Sequence, residues 1–138
     1  MNPLAETLAG VEEVLRERAA EFVSGVGAHG LSDEAVLDVM ARASHIKRLA
    51  EALLIDAVVQ VDLRSARPSV DERMTTTYGC RTVNELVQRT TLLSSKTITE
   101  TVRAARGIER SIAPSTGEVL PARYPALREA LADGALGI

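Results

Sequence analysis

TVNELVQRTTLLSSKTITETVRAARGIER, residues 82–110, reads as a short capped helix, a tight polar break and a longer basic helix. Thr82 is placed to cap the first helix, and Glu85 three residues later completes a capping box. Leu92-Leu93-Ser94-Ser95 closes that helix and offers serine caps to the next. On the second helix Ile98, Val102, Ala105, Ile108 and Ile112 share one face, as a period of about 3.6 residues requires. The opposite face carries Lys96, Thr99, Glu100, Arg103, Arg106 and Arg110. One side is built for burial and the other to meet something polar, which is the outline of a helix-turn-helix. The same residues also fit two ordinary amphipathic helices. Lys96–Glu100 and Glu100–Arg103 would then be surface pairs worth about 0.2–0.5 kcal/mol each.

Charge distribution sharpens this reading. The net charge is −3, but residues 1–71 carry 7 basic and 12 acidic side chains, a balance of −5. Residues 72–110 carry 7 and 4, a balance of +3, and residues 111–138 carry 2 and 3, a balance of −1. Nonspecific affinity for DNA comes from cations neutralising phosphates, so an acidic chain is a poor general DNA binder. A local basic patch can still act when it is presented alone or doubled by dimerisation.

Outward from this segment, helices are expected and strands are not. Pro3 suits a first helical position, and Leu4, Leu8, Val11, Leu15, Ala19, Phe22 and Val26 recur every three or four residues. Gly25, Gly27 and Gly30 end that helix. Ser32-Asp33-Glu34 begins another with acids at the positive end of its dipole. No Gly or Pro then occurs until Pro68. A helix over 32–65 would be about 50 Å long, against a radius of gyration of about 14 Å for a compact domain of this length. Val36, Val39, Ala43, Ile46, Ala50, Leu53 and Ala57 form a heptad-like stripe, and Met40, Leu49, Leu54, Val58 and Val61 widen it. One neighbouring helix cannot cover so broad a surface, so self-association through the 32–65 helix is expected. Asp56, inside an apolar run, is expected on the helix surface, with pairing to a nearby arginine as the alternative. Pro68 breaks the chain, a short helical turn follows near Asp71 and Glu72, and Pro121–Ala132 forms a last amphipathic helix.

The fold class expected is all-α: a single helical domain over 1–138, with a long-helix hairpin in 1–67 and a helix-turn-helix-like region plus terminal helix in 68–138. Composition excludes several functions. The only aromatic residues are Phe22, Tyr78 and Tyr124, which counts against single-strand binding by base stacking. No run approaches 18 apolar residues, so no membrane partner is expected. No secretory start is present, so a cytoplasmic location is the expectation. Cys80 is a lone thiol without a placed histidine. His29 lies in a Gly-rich turn and His45 is mid-helix, neither at a ligand spacing. No cofactor, metal ligand or catalytic constellation is expected.

Three pieces resemble a known family: Tyr78-Gly79-Cys80-Arg81-Thr82, the 94–106 helix ending Ala104-Ala105-Arg106, and Gly117–Leu127 followed by Ala130–Leu136. They are similar to the helical domain of unknown function that precedes HNH endonuclease domains in actinobacterial proteins, the thirteen-E-twelve repeat group. The resemblance covers about residues 45–138, and its motifs are packing and capping residues. It implies a continuation into further helices and a metal-dependent HNH nuclease domain, and the ending Ala135-Leu136-Gly137-Ile138 reads as a chain stopping before them. Nuclease chemistry needs a histidine to activate water and further ligands to hold a metal, so no nuclease site is carried over to these residues.

The expectation is therefore a non-catalytic amino-terminal module of an HNH-endonuclease-type protein that binds duplex DNA, dimerises, or both. Lys96, Thr99, Arg103 and Arg106 would face phosphates or base edges, with Ser95 at the helix start. The alternative is a structural or regulatory protein-interaction domain that makes no contact with DNA.

Overall fold

The computed structural model describes residues 2–25 and 27–108. They form an all-α chain of five helices: α1 (Pro3–Ser24), α2 (Asp33–Ser65), α3 (Met74–Thr77), α4 (Val83–Thr91) and α5 (Ser95–Ile108). Short 3-10 turns occupy Gly27–Gly30 and Val70–Glu72. No strand occurs among the described residues, and none of their helices is long and apolar enough to cross a membrane. The helix expected over 121–132, with Ile112 and Arg110, lies outside the described residues.

The contacts divide the chain into two units, 1–43 and 44–138. The division falls within α2, not at Pro68 where the sequence reading separated the long-helix hairpin from the rest. It follows the distribution of burial: every α2 residue in the core lies at Ile55 or beyond.

In the first unit, α1 begins on Asn2, whose Oδ1 accepts from the Leu4 and Ala5 N–H groups at 2.8 and 3.4 Å, with Pro3 at the first helical position. Arg16 pairs with Glu12 and Glu13, one and nearly one turn back. No residue of α1 is buried: Leu4, Leu8, Val11, Leu15 and Phe22 are all exposed. The stripe read from the sequence is present as a helical face and is left uncovered. Ser32 caps α2, its Oγ accepting from Ala35 N–H at 3.2 Å.

The second unit holds the core. Ile55, Val58 and Val59 of α2 pack with Val87 of α4 and Ile98, Val102 and Ala105 of α5. Ala52, Leu54 and Val61 flank them. The heptad stripe itself is not the buried face, since Ile46, Ala50, Leu53 and Ala57 remain exposed, but Leu54, Val58 and Val61, which widen it, lie in or against the core. Periodicity ranks faces by apolar content; it does not say which one meets α4 and α5. Where two faces are apolar, the tertiary contact decides.

The connector from α2 to α4 is clasped by arginines. Arg67 Nη1 donates to the Glu72 carbonyl at 3.1 Å. Arg73 Nε donates to the Arg67 carbonyl at 2.7 Å, and its Nη2 to the Pro68 carbonyl at 3.4 Å. Gly79 then turns the chain toward α4 with φ of 69°, in the left-handed region that glycine occupies freely.

Candidate nucleic-acid interface

The site is assembled on α4, α5 and the three residues between them, all in the second unit. Thr82 caps α4 as the sequence indicates, its Oγ1 accepting from Glu85 N–H at 3.1 Å. The reciprocal half of the box is displaced by one residue. Glu85 Oε2 accepts from the Arg81 N–H at 2.8 Å, so the carboxylate ties the residue before the cap. Glu85 Oε1 also receives Arg89 Nη2 at 3.2 Å, and Arg89 Nη1 donates to the Tyr78 carbonyl at 3.2 Å. The start of α4 is thus fastened to the preceding turn.

Leu92 ends α4 in the left-handed conformation, φ 59° and ψ 20°, while its N–H closes on the Gln88 carbonyl at 2.8 Å. Leu93 follows, and Ser94 caps α5: its Oγ accepts from Thr97 N–H at 3.2 Å and its carbonyl from Ile98 N–H at 3.0 Å. A break of this length between two packed helices is the spacing a helix-turn-helix uses.

On α5, Ile98, Val102 and Ala105 are buried, as the stripe predicts. Thr101 is buried beside them, its hydroxyl donating to the Thr97 carbonyl at 2.7 Å. That local bond is what lets a hydroxyl sit in an apolar interface. Ser95, Lys96, Thr99, Arg103 and Arg106 are all exposed. At about 100° per residue, Lys96, Thr99, Arg103 and Arg106 fall within an arc of about 80°, so the five predicted site residues share one side of the helix, with Ser95 at its first turn. Thr99 Oγ1 donates to the Ser95 carbonyl at 2.9 Å and keeps its lone pairs for an outside donor.

Among the described residues, no ion pair joins Lys96 to Glu100 or Glu100 to Arg103, so the surface pairs that would have neutralised this face are not formed. Arg103 carries no recorded partner there either. Arg106 differs. Its Nη2 lies 3.2 Å from Asp62 Oδ1 on α2, an ion pair between residues 44 positions apart. No helical periodicity could have exposed that contact. Sequence reasoning also passed over Arg81, which is exposed immediately before the α4 cap. The signal for it was present in its place beside Thr82, within the positively charged third of the chain.

The remaining chemistry-bearing residues stand apart. His29 and His45 are exposed, and Cys80 is buried with its Sγ 3.7 Å from the Tyr78 carbonyl. Asp56 is exposed on α2, as expected. Among the described residues no group of three or more His, Cys, Asp or Glu side chains converges. A cavity of about 330 Å³ opens between α2, α3 and α4, lined by residues including Leu54, Val61, Met74, Tyr78 and Leu86. Its lining holds no charged side chain, and the Thr90 and Thr91 hydroxyls there donate to the carbonyls of Leu86 and Val87. Comparison with protein-family models, curated proteins and solved structures finds no match to this chain.

Proposed function

We propose that the chain is a non-catalytic duplex-DNA-binding module that acts through the exposed side of α5. The observation that carries the reading is the pairing, on one helix, of a buried apolar side (Ile98, Val102 and Ala105) with an exposed side on which Lys96 and Arg103 have no acidic partner among the described residues, Arg106 alone being paired with Asp62. Lys96 and Arg103 would neutralise phosphates, Thr99 and Ser95 would bond to backbone or base edges, and Arg106 would lie at the margin. The joint at Leu92 supports this reading, since it turns the chain within three residues while α4 and α5 stay packed through Val87, Ile98 and Val102. The module would work in the cytoplasm, dimerise through the exposed stripe of α2, and precede an HNH nuclease domain of the kind the thirteen-E-twelve resemblance implies. Dimerisation would double a patch that is small by itself.

Equilibrium titration of the full chain with duplex across a salt series tests the reading. Lys96→Ala with Arg103→Ala is expected to weaken binding at low salt and to lower the slope of log K against log salt by about 1.8, at about 0.9 per phosphate contact. Superimposable isotherms for the variant and the parent would refute it.

A second reading rests on a separate observation. Leu4, Leu8, Val11, Val14 and Val23 of α1 are exposed, far more apolar surface than scattered single residues supply. A protein-interaction module with no contact to DNA would use that surface. A discrete oligomer in solution with no duplex affinity at low salt would favour it.

A further inference from the structure

The ion pair between Arg106 and Asp62 is unlike the others on the molecule. Arg16–Glu12, Arg42–Asp38 and Arg89–Glu85 each join residues four apart on one helix. Arg106–Asp62 joins α5 to α2, the helix that buries α5's apolar face. Its two members also differ in exposure: the Asp62 side chain is 18% exposed and the Arg106 side chain 61%. A carboxylate that sits low between two helices has little freedom to turn elsewhere. The guanidinium is the member free to move, and it is drawn toward the carboxylate.

The position of Arg106 on the helix gives this a functional sense. Lys96 and Arg103 lie about 20° apart around the axis, and Arg106 lies about 60° beyond Arg103 on the side leading to Val102. It is the cation of the set nearest the α2 contact, and the one whose charge is already balanced. We infer that Asp62 sets both the charge and the limit of the α5 binding face. By holding Arg106 against α2 it withholds that guanidinium from nucleic acid, leaving Lys96 and Arg103 as the phosphate-neutralising cations. Arg106 is then a positioning residue that ties the carboxyl-terminal part of α5 to α2, and Asp62 restrains affinity. The inference rests on the duplex reading of α5 proposed above.

The experiment is a salt series of duplex titrations on the full chain with five variants: Lys96→Ala, Arg103→Ala, Arg106→Ala, Asp62→Asn and the double variant Asp62→Asn/Arg106→Ala. Lys96→Ala and Arg103→Ala are each expected to flatten the salt slope by about 0.9. Arg106→Ala leaves the slope at the parent value. Asp62→Asn steepens it by about 0.9 and tightens binding several-fold at low salt, because a released guanidinium reaches an additional phosphate. The double variant loses that gain. Asp62→Ser is read in parallel, so that a folding defect in one replacement, seen by circular dichroism, does not remove the measurement. An Asp62→Asn isotherm matching the parent overturns the inference, as does an Arg106→Ala slope as flat as that of Arg103→Ala. If Lys96→Ala and Arg103→Ala flatten the slope while Asp62→Asn changes nothing, only this inference falls. If none of the variants changes binding, the duplex reading falls and takes the inference with it.

Discussion

Leu92 carries the conformation on which the α4–α5 joint depends. A left-handed φ of 59° brings an L residue's Cβ against the following carbonyl, a cost of about 1–2 kcal/mol. Its side chain is 87% exposed, so little packing offsets the strain. Glycine removes the clash and gives back part of the gain through the freer unfolded chain. Leu92→Gly is therefore expected to stabilise the chain by about 0.5–1 kcal/mol, read as a higher urea midpoint at unchanged slope. Leu92→Val, β-branched and poorly tolerated at positive φ, should lower the midpoint. This residue was not legible in the sequence. Leu92-Leu93 reads as the apolar end of a helix, and neither Gly nor Asn marks the turn. Thr82 and Glu85 were legible because a capping box has a fixed spacing, though the spacing did not reveal that Glu85 would reach Arg81 N–H in place of the cap's own.

Among the helices, α5 was the most transparent and α2 the least. A single apolar stripe on α5 leaves one way to bury it, and Ile98, Val102 and Ala105 are buried accordingly. Ile98 is among the largest fully buried side chains, at the centre of the cluster joining α2, α4 and α5. Ile98→Ala should cost about 2–5 kcal/mol by deleting buried methylenes and leaving a cavity. Thermal unfolding would show a large fall in midpoint, and duplex binding would fail together with the fold. The length of α2 was also legible, since nothing between Ser32 and Pro68 interrupts a helix. Its inward face was legible only in part: Val58, with Leu54 and Val61, widened the sequence stripe and lies in or against the core. Ile55 and Val59 lie off the heptad stripe and are buried, while Ile46 and Leu53 lie on it and are exposed. The hydrophobic pattern has two faces to offer, and only the positions of α4 and α5 choose between them.

For the whole molecule, that unused face is the physical reason to expect association. Ile46, Leu49 and Leu53 stand exposed on one side of α2, outside the core cluster. Sedimentation of the full chain is expected to give a dimer at micromolar concentration. Ile46→Asp with Leu53→Asp should return a monomer with its helix content intact, because neither residue belongs to the core. A parent that sediments as a monomer at every concentration refutes this. The five predicted interface residues all proved to be exposed, since a helix's polar side is fixed once its apolar side is known. The tie of Arg106 to Asp62 spans 44 residues, and only the folded chain brings the two together.

The clasp between α2 and α4 has a consequence of its own. Its guanidinium groups end on the peptide oxygens of Arg67, Pro68 and Glu72, which take up no proton across the range where carboxylates do. Arg16, Arg42 and Arg89 instead end on side-chain carboxylates. Arg67 and Arg73 brace the bend through the main chain alone, so exchanging a side chain at Pro68 or Glu72 leaves the oxygens they hold in place.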